Sequence, residues 1–360
     1  MEETEITGID SAPGDLAPAL EILNAARREM AKRIVGQTEM IDGLLTALIA
    51  GGHILLEGVP GLAKTRAVKT LAEITGLVFK RIQFTPDLLP ADLTGTLVWE
   101  QATGAFSVRR GPVFANVILA DEINRAPAKV QSALLEAMEE KQVTIGEKSY
   151  PLPDPFFVLA TQNPIEHEGT YALPEAELDR FLLKLLVRYP APEEELRILG
   201  FAAPFGNVQQ LPMEGESEQS GNLRPVLETA ALESLRGAAD SIFTDEQILR
   251  YIVSVVAASR PAPLRPAVGT EGVRPGGGRP REGLYRYIAF GGSPRATLAL
   301  YRCSKIKALF EGRSFVTPED VKAAAFPVLR HRLVLSYEAE ADGLEPDSVI
   351  SRILTLVPMP

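Results

Sequence analysis

The feature that most constrains this 360-residue chain is a change of pattern at residue 58. The apolar run HILLEG (53–58) passes directly into GVPGLAKT (58–65), and the helical stretch TRAVKTLAEI follows. A loop of small residues between a strand and a helix N-terminus suits a phosphate group. Small residues let backbone N–H groups converge, and the helix turns its positive end toward the anion. The spacing matches G-x-x-x-x-G-K-[ST] with one exception, since Ala63 stands where glycine is usual. A methyl group there costs little provided the local φ is negative. Gly58, Val59, Pro60, Gly61, Leu62, Ala63, Lys64, Thr65 and Arg66 form the candidate nucleotide loop. Lys64 would neutralise β/γ-phosphate charge, and Thr65 would offer its hydroxyl to Mg²⁺.

The same strand-then-helix alternation continues. Strands are expected at HILLEG (53–58), LVFKRIQF (77–84), NVILA (116–120), FFVLATQ (156–162) and FLLKLLVRY (181–189). Several are apolar almost throughout, as strands covered on both faces are. Between them PAKVQSALLEAMEE (127–140) places Val130, Ala133, Leu134, Ala137 and Met138 at helical spacing. The fold class is therefore α/β, a five-stranded parallel sheet between helices. Ahead of it, LAPALEILNAARREMAKRI and TEMIDGLLTALIAGG read as helices, the second capped by Thr38. Beyond residue 190 only helical signals remain. Thr244 with Gln247 reads as a capping box, Ser293–Pro294 opens a helix running to Gly312, and Thr317–Pro318 opens another.

These signals divide the chain. Residues 1–17 read as a flexible acidic tail, 18–190 as the α/β domain, 191–222 as a linker, and 223–360 as a smaller, all-helical domain. Two hairpins interrupt the α/β domain at about 95–112, turning at Thr103–Gly104, and at 141–153. The Pro/Gly/Arg-rich stretch at about 261–282 reads as disordered. Half of the net charge of −10 lies in the first twenty residues, which hold no Lys or Arg. The remainder is still acidic, which argues against nucleic acid as the main partner. No apolar run reaches the ~18 residues of a membrane span, and the acidic N-terminus lacks the pattern of a signal peptide. A cytoplasmic protein is expected. The single cysteine, Cys303, rules out an intrachain disulfide, and His53, His167 and His331 are too scattered to form a metal set.

Chemistry beyond the loop centres on NVILADEINRA, where an apolar strand ends in Asp121–Glu122. Two carboxylates at the end of a buried strand are costly unless their charge is used. Asp121 would hold Mg²⁺, largely through water, and Glu122 would polarise an attacking water. Asn163, at the end of the next strand, could orient that water. Arg180 precedes the last strand, and Arg295 lies in the first turn of a helix in the second domain.

With these residues in place the chain resembles an AAA+ ATPase of the MoxR group, from about residue 18 to 357. The resemblance rests on IVGQTEMI, LLEGVPGLAKT, FTPDLLPADLTGT, GPVFANVILADEINRAPAKVQSALLEAMEEKQVTI, VLATQNPIEHEGTYALPEAELDRFLL and GGSPRA. It implies Walker A roles for Lys64 and Thr65, and Walker B roles for Asp121 and Glu122. By the same resemblance Asn163 is sensor 1 and Arg295 sensor 2. Arg180 is an arginine finger acting on the neighbouring subunit's nucleotide, and Val35, Gly36 and Gln37 lie against the adenine. Alanine at position 63 is frequent in this group. The helical domain corresponds to the AAA+ lid, and the hairpins to the helix-2 and pre-sensor-1 inserts. Also implied are ATP with Mg²⁺, a homo-oligomeric, hexameric ring, and a chaperone role toward protein complexes or metal-cofactor insertion. A von Willebrand A domain partner would be a separate polypeptide.

Two other functions compete. A nucleic-acid remodelling ring predicts basic hairpin tips, yet Arg109–Arg110 is offset by Glu100, and Lys141 and Lys148 by Glu147. A nucleotide-gated scaffold without turnover would not need Glu122 and Arg180. The client, the trigger of hydrolysis and the role of the 261–282 stretch are not legible in the sequence.

Overall fold

The computed structural model describes residues 16–102, 104–164, 170–202, 223–261 and 280–360. The acidic tail up to residue 15, Thr103, residues 165–169 with His167, and the 203–222 and 262–279 stretches therefore lie outside the described residues. Helices α1 (Ala17–Ala31) and α2 (Thr38–Ile49) lead into strand β1 (Ile54–Glu57), helix α3 (Lys64–Thr75) and strand β2 (Phe79–Gln83). Helix α4 (Pro90–Thr94) precedes a hairpin of β3 (Gly95–Glu100) and β4 (Ala105–Arg110), followed by β5 (Val117–Asp121). Helix α5 (Ala128–Glu140) precedes a second hairpin of β6 (Gln142–Ile145) and β7 (Lys148–Pro151). Then come β8 (Phe157–Gln162), α6 (Glu175–Leu178), β9 (Leu183–Leu186) and α7 (Pro192–Ala202).

Strands β2, β5, β8, β1 and β9 form one sheet in that order, parallel throughout. Alternate residues serve opposite faces, as strand geometry requires. Ile54, Leu56, Val117, Leu119, Phe157 and Leu159 bury into a core shared with α1, α2, α3 and the second domain. Leu55, Ile118, Ala120, Val158 and Ala160 bury on the other face, together with Leu134 and Met138 of α5. Glu57 is level with Gln162, and Ala120 with Ala160. The strand ends that carry the loop, Asp121 and Asn163 thus meet along one edge of the sheet.

The second domain comprises α8 (Thr229–Ser241), α9 (Glu246–Ala258), α10 (Pro280–Tyr285), α11 (Pro294–Phe310), α12 (Pro318–Leu329), α13 (Tyr337–Ala341) and α14 (Pro346–Leu356). It is not wholly helical, because β10 (Ile288–Phe290) pairs antiparallel with β11 (Val334–Leu335). The stretch read as linker from 191 begins with a helix, α7, whose first turn carries Glu193, Glu194 and Glu195. Acidic residues complement the positive end of a helix, so this charge run favours the helix it opens. Similarly, α10 starts inside the stretch read as disordered.

Two caps differ from the sequence reading. Asp245, not Thr244, caps α9 by accepting from the Gln247 N–H at 2.8 Å. Gln37, in a left-handed conformation, precedes α2, and Thr38 is its first helical residue. Ser293 and Thr317 cap α11 and α12 as the sequence indicates, with Asp320 completing the Thr317 capping box. In the first hairpin Trp99 and Phe106 face each other with ring centroids 5.0 Å apart, edge to face, and both are more than half exposed. They pair with each other and leave a solvent-facing apolar tip.

Candidate nucleotide site

The loop after β1 is shaped by contacts that explain its small residues. A Cβ on Gly58 would lie 2.7 Å from the Val187 carbonyl oxygen, so the last strand's continuation excludes any side chain there. Gly61 sits at φ +88° and Ala63 at φ +56°. The condition for a cheap alanine is therefore not met: Ala63 is left-handed, a conformation that costs a non-glycine residue roughly 1–2 kcal/mol. Such a turn directs successive N–H groups to one side, the geometry of an anion nest. Helix α3 starts at the next residue, Lys64.

The Lys64 ammonium donates to the Gly58 carbonyl and closes the loop upon itself. Burial pushes its pKa down, and the charges of Asp121, Glu122 and Glu57 offset part of that. The lysine is thus desolvated and faces the two carboxylates at the end of β5.

Asp121 is held on both oxygens. Oδ1 accepts from the Thr161 hydroxyl at 2.7 Å, and Oδ2 from Arg81 Nη2 at 2.6 Å and Nε at 3.0 Å. Glu122 is left-handed, at φ 56° and ψ 51°, and its N–H donates to the same Thr161 oxygen at 2.8 Å. Its Oε2 accepts from Gln83 Nε2 at 2.8 Å and Arg125 Nη1 at 3.0 Å. Asn163 is buried just past β8. Gln37 donates to the Arg188 carbonyl at 2.9 Å, and the Glu194 carboxylate packs on Gly36, at φ +64°. The stretch 35–37 thus lies against the chain leaving β9.

Hard oxygen donors suit Mg²⁺, and the Thr65 hydroxyl and the Asp121 carboxylate supply them next to a lysine for phosphate. The residues present fit the ion together with a nucleotide triphosphate. When bound, the ion would neutralise phosphate charge.

Arg180 and Arg295 are not part of this cluster. The Leu182 N–H donates to the His53 carbonyl, at the start of β1, whereas the Val187 N–H donates to the Glu57 carbonyl at its end. Five residues of strand separate these levels, roughly 16 Å. Arg180 thus lies at the opposite edge of the sheet from the loop. Its Nε donates to Glu139 Oε2 at 2.8 Å, and Arg295 binds the other oxygen of the same carboxylate.

Sequence reading missed Thr161, Gln83, Arg81, Arg125 and Glu139. Thr161 left a signal, a hydroxyl within an otherwise apolar buried strand. The others are exposed or partly exposed polar residues. The Glu122 partner of Gln83, the Asp121 partner of Arg81 and the partners of Glu139 are remote in sequence. Arg125, three residues from Glu122, stands in a short stretch with no periodic signal.

Comparison with known proteins agrees with this architecture. Residues 53–183 match the model of the ATPase family associated with various cellular activities (AAA), and 285–353 match the AAA lid domain. The chain is 45% identical over 349 residues to Chaperone MoxR1 of Mycobacterium tuberculosis, covering 96% of this chain and 84% of that one. It is 39% identical over 346 residues to the uncharacterized protein YeaC of Bacillus subtilis, with 96% of both chains covered. A solved structure of an ATPase candidate from Cytophaga hutchinsonii superposes with a TM-score of 0.80 at 42% identity, covering 96% of this chain and 97% of that one. The chain belongs to the AAA+ ATPases and, among them, to the MoxR family.

Proposed function

We propose that this chain is the ATP-hydrolysing subunit of a homo-oligomeric, hexameric ring that works as a cytoplasmic chaperone on a protein client. One observation carries the reading. The loop, Asp121, Glu122 and Asn163 share one edge of the sheet, while Arg180 and Arg295 stand together at the other. An arginine pair so far from its own loop is useful only to a second subunit's nucleotide. The site is then completed at a subunit boundary, and hydrolysis depends on assembly.

Within one subunit, Lys64 binds the β/γ-phosphates of ATP, with Thr65 and Asp121 as ligands for Mg²⁺. Asn163 orients the attacking water, and Glu122 accepts its hydrogen bond and then its proton. The water oxygen bonds to the γ-phosphorus, the bond from that phosphorus to the β–γ bridging oxygen breaks, and ADP leaves. The neighbour's Arg180, with Arg295 beside it, stabilises charge on the transferring phosphoryl group. Such arginines can be worth ~10³–10⁵ in rate. Similarity to a protein named a chaperone supports the client-remodelling role. A separate von Willebrand A domain partner belongs to the same reading by family resemblance.

The test is phosphate release against protein concentration for wild type, Glu122→Gln and Arg180→Ala. Specific activity should rise with concentration, both variants should be inactive, and mixing them should restore turnover. Flat activity with a fully active Arg180→Ala would exclude a shared site.

A further inference from the structure

The two arginines are joined twice, once through their backbones and once through their heads. Asp179, next to Arg180, accepts from the Ser293 hydroxyl at 2.8 Å, and that hydroxyl also caps the Arg295 N–H at 3.1 Å. Arg332 clamps the same segment. It donates to Asp179 Oδ1 at 2.7 Å and to the carbonyls of Asp179, Phe181 and Leu182 at 2.6–3.1 Å. The main chains under Arg180 and Arg295 are therefore fixed to one another. Their guanidinium groups both meet Glu139.

We propose that Glu139 is a positioning residue that yokes Arg180 and Arg295 into one two-guanidinium head for the neighbouring subunit's triphosphate. The proposal rests on the shared-site reading above. Glu139 lies in the last turn of α5, where the helix end is negative and a carboxylate is disfavoured. Local structure gives no reason for an acid there, and the two cations do. Each of its oxygens takes one arginine. Without the carboxylate, two like charges held side by side would splay apart. Arg180 engages it through Nε, which leaves Nη1 and Nη2 without another partner among the described residues. Those two donors form the fork that a phosphate accepts. The trio stays reachable, with side-chain exposures of 28% for Arg180, 36% for Glu139 and 48% for Arg295.

The experiment compares Glu139→Gln and Glu139→Asp with wild type in ATP turnover, in binding of a fluorescent ATP analogue, and in subunit mixing. Glu139→Gln should lose about 10- to 100-fold in kcat, the scale of a misplaced catalytic group, with KM and analogue affinity unchanged. Glu139→Asp, which keeps the charge, should recover most of the loss. In the Arg295→Ala background, Glu139→Gln should add little, because both act through one unit. Mixing Glu139→Gln with Glu122→Gln should restore turnover, since the first keeps an intact loop and the second an intact arginine pair. Wild-type or faster turnover in Glu139→Gln would overturn the proposal, as would weakened analogue binding. Failure of that mixture while Arg180→Ala and Glu122→Gln complement would overturn the yoke alone. Failure of both mixtures would overturn the shared site as well.

Discussion

Arg332 spends all five of its N–H donors on one short stretch of the α/β domain and on the helix that precedes it, α12. Asp179, Phe181, Leu182 and Val328 accept them, the Asp179 carboxylate at 2.7 Å. The side chain is 3% exposed. A fully satisfied buried guanidinium thus joins the helical domain to the segment that carries Arg180. Replacement by Met should cost about 3–5 kcal/mol, since it leaves buried carbonyls unpaired and takes the cation from the partly buried Asp179 carboxylate. Chemical denaturation followed by a probe in the helical domain measures this, and a loss below about 1 kcal/mol would show that the contact holds little.

Thr161 links the Asp121 carboxylate to the main chain of Glu122. Its hydroxyl donates to Asp121 and accepts from the Glu122 N–H, so Glu122 keeps its left-handed conformation. Thr161→Val preserves shape and removes both bonds. It should lower kcat by about 10- to 100-fold through misplacement of Glu122 and cost about 1–3 kcal/mol for the unpaired N–H. Thr161→Ser should retain activity. Equal rates for the valine variant and wild type would remove Thr161 from the site.

The two loop glycines should respond differently to alanine. At Gly58 the new methyl would meet the Val187 carbonyl at 2.7 Å, so β9 or the loop must move. At Gly61 nothing lies within 4 Å and only the φ of +88° opposes the change. Nucleotide affinity, read by titration with a fluorescent analogue, should fall further for Gly58→Ala. The reverse order would mean that conformation, not space, dominates this loop.

Acid should destabilise the fold before the carboxylates titrate. Burial lowers the pKa of His53 to about 4, and lowers His331 well below its ordinary 6.5 with Arg332 adding to the effect. The His53 Nδ1 accepts from the Val158 N–H at 3.1 Å, while Nε2 faces the Met138 carbonyl at 3.2 Å. His331 Nε2 faces the Phe181 carbonyl at 2.9 Å. Both are neutral when folded and protonate more readily when unfolded. Their contribution is complete above pH 6.5 and is lost as pH falls toward 4, by up to about 1.4 kcal/mol per pH unit for each histidine. Thermal unfolding from pH 7.5 to 4.5 should show the decline; a constant Tm down to pH 5 would contradict it.

The local features of this protein were set by its sequence. Strands were recognisable because burial on both faces demands unbroken apolar runs, as in Val117–Ala120. Glycine, alanine and lysine between such a strand and a helix marked the phosphate loop, and Asp121–Glu122 stood out because charge at the end of a buried strand needs a use. Even so, the sign of φ at Ala63 was not legible, since the residue itself prefers the other sign and only the surrounding loop imposes the strain. Short-range choice between neighbouring caps, Thr244 against Asp245, was equally beyond the pattern. Tertiary structure alone decided which polar residues meet. Thr161 and Asp121 are 40 positions apart, Glu139 and Arg295 are 156 apart, and Asp179 and Arg332 are 153 apart. Hydrogen bonds and ion pairs act over a few ångströms of space and carry no sequence periodicity, so only the folded chain reveals that the arginines stand together, away from the loop.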